Sequence, residues 1–311
     1  MEKEYNLKKK HNTINMRFLW VLCVLCYFTN IICLKQFDLF HLAEKLKNFN
    51  IEKNANIILN KSQKIYKNDD LTPFFEENPQ YVNKSLIQLT PGGIRGFYNL
   101  GTCVYIKENY DISDYIFSGA SAGAWNSLML SYKNNPHDFA LKLLDSMKEK
   151  SKPKSIYETQ LYLKNQLLEC YDSDDFELDK LFLGLTNLSN QTLFTNIYGD
   201  FENLEDALNC CISSSNIPFI TGNCEIKYKD VLSLDGYFSE FPYLKLDYDL
   251  QIGPDMWNQD DLLNNKKSRS YDLYRMFFYN NRNINFYELY IKGYSEAKNN
   301  KEILDIKLKK K

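Results

Sequence analysis

One stretch constrains this chain more than any other: Ile116-Phe117-Ser118-Gly119-Ala120-Ser121-Ala122-Gly123-Ala124-Trp125. Its apolar start predicts a short strand. Its end opens a helix, with Ala122, Trp125, Met129 and Tyr132 at three- and four-residue steps. Between the two stands Gly119-x-Ser121-x-Gly123. A strand that turns at once into a helix strains the residue at the turn, and only small neighbours leave it room. Here the flanking residues, Gly119, Ala120, Ala122 and Gly123, are all Gly or Ala. Such a turn lifts the serine hydroxyl off the sheet and aims the unpaired N–H groups of the new helix at whatever the hydroxyl attacks. Ser121 is therefore the candidate nucleophile. The competing reading is a Gly/Ala-rich turn with an idle serine.

A second strand–turn–helix precedes it. Ser85–Leu89 reads as a strand that runs into Pro91-Gly92-Gly93-Ile94-Arg95-Gly96, and Phe97, Leu100 and Val104 then mark one face of a helix reaching to about Asn109. Glycines at a strand end let backbone N–H groups turn inward towards a ligand. Nucleotide binding does not fit, because neither the phosphate-loop Gly-x-x-x-x-Gly-Lys nor the dinucleotide Gly-x-Gly-x-x-Gly is present. The alternatives are an oxyanion hole and an ordinary turn. The chain between Gly96 and Ser121 suffices for a helix, a turn at Tyr110–Asp114 and a strand at Tyr115–Ser118. A right-handed crossover then makes the two strands parallel neighbours, with both loops at the sheet's C-terminal edge.

At 311 residues there is room for one large domain with appendages, or for two small ones. Lys+Arg 38 against Asp+Glu 40 gives no basic excess for nucleic acid. Of the eight cysteines, Cys23, Cys26 and Cys33 sit in an apolar N-terminal run as small hydrophobes, and none of the other five forms a Cys-x-x-Cys pair, so no metal site is expected. Residues 1–17 form a basic tail. Phe18–Leu34 carries no charge and sits at the short end of the ~17–25 residues of a spanning helix. It is longer than the ~7–15-residue core of a cleaved signal, which favours an uncleaved single-pass anchor. Lysines on both flanks leave its orientation open. Residues 35–80 read as a tether, 81–300 as the folded domain and 301–311 as a basic tail.

Downstream, residues 136–170 look helical around a Lys152-Pro153-Lys154 break, Leu193–Tyr198 reads as a strand, and Asn203 caps a helix over Leu204–Cys211. The apolar run Val231–Leu234 then ends in Asp235-Gly236. Asp-Gly is a common turn dipeptide; its functional reading makes Asp235 the base for Ser121. The three histidines are His11, His41 and His137, and none follows Asp235, which excludes a triad in the order Ser, Asp, His. His137 would sit at the far end of the elbow helix, roughly 15 Å from the serine at ~1.5 Å per residue.

Gly92-Gly93-Ile94-Arg95-Gly96, Gly119-Ala120-Ser121-Ala122-Gly123 and Asp235-Gly236, in this order, resemble the patatin-like phospholipase family, as does Ser213–Pro218 before the aspartate. The resemblance covers Ser85 to Pro242. It implies an α/β fold, a three-layer α/β/α sandwich with a mainly parallel central sheet. It also implies a Ser121–Asp235 dyad with no metal or cofactor, and hydrolysis of acyl esters in membrane phospholipids or neutral glycerolipids. Backbone N–H groups of Gly92, Gly93 and Ala122 would hold the oxyanion. Arg95 has two candidate roles, orienting a lipid phosphate or forming a structural ion pair. The chain departs from the family pattern at Pro91, which removes one N–H, and at Tyr237, which sets a ring beside the base. An acyltransferase using the same site, and an inactive membrane-tethered lipid-binding protein, are the rival functions.

The uncharged Phe18–Leu34 run predicts that the full-length protein sediments with membranes and resists alkaline carbonate, whereas a fragment beginning near Tyr81 is soluble or only peripherally bound. Carbonate release of the full-length protein would count against a spanning anchor.

Overall fold

Strand residues 86–89, 116–117 and 181–185 are apolar on nearly every position, the pattern of strands covered on both faces. The structure, a computed structural model, builds a mixed α/β fold around them. It describes residues 50–60, 64–67, 70–147, 156–189, 192–218, 221, 226–239, 241–245, 247–257 and 285–311. Lys53–Leu188 with Phe194–Lys311 form one unit; Met1–Glu52 with Ser189–Leu193 form another, most of it outside the described residues.

In chain order, β1 (Asn50–Leu59), β2 (Lys64–Lys67) and α1 (Thr72–Glu77) precede β3 (Ser85–Leu89) and α2 (Gly96–Asn109). A short β4 (Tyr110–Asp111), β5 (Tyr115–Gly119) and α3 (Ala122–Ser131) follow, then α4 (Pro136–Ser146) and α5 (Ile156–Cys170). β6 (Leu181–Ser189), β7 (Thr192–Gly199), α6 (Leu204–Ser214), β8 (Lys227–Tyr228), β9 (Val231–Leu234) and β10 (Leu250–Ile252) come next. The chain closes with α7 (Phe286–Asn299), α8 (Lys301–Lys307) and β11 (Lys309–Lys310). The sheet runs β10-β3-β5-β6-β7-β1-β2, with β9 pairing β6 and β8 pairing β9. β10, β3, β5 and β6 are mutually parallel neighbours. Ser85–Leu89 lies in register with Tyr115–Gly119, so both glycine-bearing turns emerge at one edge, as the crossover requires.

β9 departs from the parallel pattern. It runs antiparallel to β6, with Thr186 opposite Leu234 and Leu188 opposite Leu232. β5 occupies an earlier stretch of β6, with Gly119 opposite Leu183. The C-terminal ends of β5 and β9 therefore approach each other along β6 and converge on Gly184 and Leu185.

Alternation along the strands sorts the core into two faces. Ile87, Leu89, Phe117, Leu181 and Leu183 pack with α2–α7. Leu86, Ile116 and Phe182 pack on the other face with Ile57, Phe74 and Leu244. Asn203 caps α6 by accepting from the Asp206 N–H, as its sequence position predicts.

Two domain boundaries are corrected. Part of the expected tether belongs to the fold: β1 pairs with β2 (Ile57 opposite Tyr66), and Ile57 is fully buried. The expected basic tail at 301–311 is also built in. Leu304 and Leu308 are buried, and β11 pairs with β4. The Phe18–Leu34 run, residues 35–49 and the Lys152–Lys154 break lie outside the described residues. Among the described residues no helix is long and apolar enough to cross a membrane.

Two neighbouring substitutions test the corrected C-terminal boundary. Leu304→Ala should cost about 2–5 kcal/mol, as deletion of a buried leucine does. Ile306→Ala should change stability by less than about 0.5 kcal/mol, because that side chain is 87 % exposed. Urea unfolding of both variants checks the contrast; equal midpoints would mean the segment is not packed.

Candidate active site

Ser121 sits where β5 ends and α3 begins, at φ 56° and ψ −128°. A positive φ in a non-glycine residue costs about 1–3 kcal/mol and survives only where its surroundings over-determine it. Small neighbours are mandatory here for a measurable reason. A methyl group on Gly123 would lie 2.1 Å from the Leu89 carbonyl oxygen, and one on Gly119 2.3 Å from the Gly123 carbonyl oxygen. The start of α3 is thus pressed against the end of β3.

The serine hydroxyl donates to Asp235 Oδ2 at 2.7 Å. Both residues are buried, at 6 % and 2 % exposure. The Asp235 peptide is held on each side: its N–H donates to the Asn216 carbonyl at 2.7 Å, and its carbonyl accepts from Thr186 Oγ1 at 3.0 Å. The second carboxylate oxygen accepts from the Tyr237 N–H at 2.7 Å. Tyr237 therefore meets the base with its backbone. Its ring, which the sequence sets beside Asp235, is 39 % exposed. Gly236 is required because a Cβ there would come within 2.5 Å of the Gly184 carbonyl oxygen.

Burial pushes the Asp235 carboxyl from its ordinary 3.8 up to about 7, against the opposing pull of the Tyr237 N–H and the Ser121 hydroxyl. A carboxylate in that range is poised to exchange a proton near neutrality.

The Gly-rich turn abuts the elbow. Gly93 has φ 52°, a conformation that glycine adopts freely, and Gly93–Arg95 form a single helical turn before α2. A methyl on Gly96 would sit 2.6 Å from the Ala122 Cβ, and Asn126 Nδ2 donates to the Gly96 carbonyl at 3.1 Å. Ala122 opens α3, so its N–H has no carbonyl one turn earlier to meet. The Gly-rich turn thus meets the start of α3 through Gly96 and Ala122. Arg95 takes the ion-pair option: its guanidinium contacts Asp255 at 2.7 Å and the Pro254 carbonyl at 3.2 Å.

His137 is committed elsewhere. Its Nε2 pairs with Glu108 at 2.6 Å, and its Nδ1 shares a hydrogen bond with the Tyr290 hydroxyl at 2.8 Å. A cleft of about 590 Å³ lies near this end of α3, among Lys107, Asp111, Lys133, Pro136 and Lys311. Neither Ser121 nor Asp235 lines it. Its lysines serve the fold, Lys107 Nζ donating to the Leu130 carbonyl and Lys311 Nζ to that of Lys107, as cationic caps of helix ends do. Among the described residues no group of three or more His, Cys, Asp or Glu is arranged to hold a metal ion.

Several residues at the site carry no sequence signal of their own. Ser214, Gly184, Thr186 and Asn216 all bond or pack against the pair. Ser214 and Asn216 lie inside the Ser213–Pro218 stretch, but nothing in that stretch distinguishes one serine from the next. No protein-family model matches the chain, and a search of curated proteins returned no significant match.

The pair's electrostatics generate a linked prediction. Between about pH 4 and pH 7 the unfolded chain has Asp235 ionised, whereas the folded chain keeps it protonated. The folded state binds the extra proton there, so this group's contribution to stability falls as pH rises through the window and levels off above it. Asp235→Asn removes that ionisation. It should melt higher than wild type at pH 8, with the gain shrinking towards pH 4. If Asp235 is the base, the same variant should lose ~10²–10⁴-fold in turnover while His137→Ala keeps most of it. An active, folded Asp235→Asn would remove the aspartate from the chemistry.

Proposed function

We propose that the protein is a lipid acyl hydrolase of the patatin-like phospholipase kind, with the three-layer sandwich of that family. Its substrates would be fatty-acyl esters of phospholipids or neutral glycerolipids. One observation carries the reading: a serine strained at a strand–helix turn, with φ 56°, donates its hydroxyl at 2.7 Å to a buried aspartate. An idle serine has no need of either feature.

The chemistry follows from the atoms present. Asp235 accepts the hydroxyl proton as Ser121 Oγ attacks the ester carbonyl. The carbonyl oxygen becomes an oxyanion, which the N–H groups of Gly92, Gly93 and Ala122 stabilise. Collapse of the tetrahedral intermediate expels the alcohol, which takes the proton from Asp235 and leaves an acyl-serine. Water, deprotonated by Asp235, attacks that ester; collapse releases the fatty acid and expels Ser121 Oγ, which takes the proton back from Asp235. The aspartate needs no imidazole, because its raised pKa already brings it to about 7. Lipid as the substrate class rests on the resemblance to the family and on the uncharged Phe18–Leu34 run, which suits a protein working at a membrane.

Purified protein incubated with mixed phospholipids and acylglycerols should release free fatty acid and lysolipid, followed by mass spectrometry. A fluorophosphonate probe should label wild type at Ser121 and leave Ser121→Ala unlabelled. Equal labelling of the two would sink the assignment.

A further inference from the structure

A backbone at positive φ does not hold itself, so each polar atom of Ser121 must be accounted for. Its carbonyl accepts from the Ala124 N–H at 2.9 Å, within the first turn of α3. Its hydroxyl goes to Asp235. Its N–H lies beyond the end of β5 and donates to Ser214 Oγ at 2.8 Å. The Ser214 hydroxyl has a single proton, which goes to the Gly184 carbonyl at 2.7 Å. With Ser214 fully buried, at 0 % exposure, the direction of that hydroxyl is fixed.

Gly184 is the next residue of β6 after Leu183, the partner of Gly119. Its carbonyl oxygen is also the atom that lies 2.5 Å from a would-be Cβ on Gly236. One carbonyl thus anchors the amide of the nucleophile, through Ser214, and forms the floor under the Asp235–Gly236 turn. The neighbouring Ser215 joins the same elements, accepting from Trp125 Nε1 at 3.1 Å and donating to the Cys211 carbonyl at 2.9 Å. The C-terminal end of α6 is therefore bolted to the start of α3 by two serines, but only Ser214 reaches the strained residue.

We infer that Ser214 is a positioning residue for the dyad: its hydroxyl is the strut that keeps Ser121 in its left-handed conformation and within hydrogen-bond reach of Asp235. The inference rests on Ser121 being the nucleophile. Removing the hydroxyl leaves the Ser121 N–H without its acceptor and the Gly184 carbonyl without this donor, in a space closed to bulk water. The peptide joining Ala120 and Ser121 is then released to turn towards negative φ, which carries Oγ away from the carboxylate.

Crystal structures and kinetics of wild type, Ser214→Ala and Ser131→Ala test this. Ser131 is an equally buried hydroxyl at the far end of α3, bonded to the Leu128 carbonyl, and controls for general loss of stability. In Ser214→Ala the φ of Ser121 should leave the positive region and the Oγ–Asp235 separation should exceed ~3.5 Å. Fluorophosphonate labelling and kcat should fall ~10–100-fold with KM within about twofold, the signature of a lost transition-state contribution. The acid limb of kcat should move to higher pH, because Asp235 loses the serine hydrogen bond that lowers its pKa. Ser131→Ala should change none of these. Should Ser214→Ala not fold, Ser214→Cys, of similar shape with a weaker donor, carries the same comparisons. An unmoved Ser121 with wild-type kcat in the Ser214 variant would overturn the strut alone. A kcat loss no larger than that of Ser131→Ala would do the same. Wild type that neither labels nor hydrolyses would instead overturn the nucleophile, and the catalytic role of Ser214 with it.

Discussion

Along one edge β6 serves two partners in succession, and the site depends on that change. Its first residues pair in parallel with β5; its later ones pair antiparallel with β9. Two chain ends that would otherwise leave the sheet separately are thereby brought nose to nose at Gly184 and Leu185. Ser121 follows one end and Asp235 the other, and the 2.7 Å contact between them is the outcome. A β9 running parallel to β6 would carry Asp235 away from the level of the elbow. The rest of the site follows from the closeness of this junction. Gly236 has no side chain because the Gly184 carbonyl is there, and Gly119 has none because the α3 backbone is there.

The arrangement is held against two unfavourable local contributions. One is the backbone strain of Ser121. The other is the burial of a carboxyl group that prefers water when ionised. Neither could be sustained on a loose loop. Both are borne by a well-packed surround: α2, α3 and α6 contribute fully buried leucines and cysteines to the same core that covers β3 and β5. Hydrogen bonds to every polar atom of the Asp235 peptide and carboxylate then limit how the turn can relax. Stability elsewhere in the sheet is what allows the strained pair to persist.

The legible parts of this fold were the locally encoded ones. The β3–α2–β5–α3 crossover was readable because apolar runs, glycine-rich turns and helix-period stripes follow one another without interruption. The Ser121 turn was readable because steric demand fixes its neighbours to Gly or Ala. Asp235 was readable only through its order relative to the two glycine motifs; nothing in Val231–Leu234 indicates an antiparallel strand. β1 carries little sequence signal because Asn and Lys dominate its surroundings, which masks the alternation of Ile57 and Leu59. The C-terminal segment was missed for a related reason. Leu304 and Leu308 stand at an i, i+4 spacing, but the five lysines from Lys301 to Lys311 suggested a solvated tail. Ser214 depends on a tertiary contact across 93 residues, which no local pattern can carry.

That separation has a kinetic meaning. The hydrogen bond between Ser121 and Asp235 joins residues 114 apart in sequence. Contacts of such span form after local ones, because the loop must be closed before they give any return. The β3–α2–β5–α3 unit can assemble from neighbouring segments, and at that stage Ser121 has no aspartate partner. Only when the chain has been made past β9, and β9 has zipped backwards along β6, do the two halves meet. A nascent or partly folded copy of this protein therefore lacks the Ser121–Asp235 hydrogen bond. On the proposed reading, topology withholds Asp235 from Ser121 until the later part of the chain has folded.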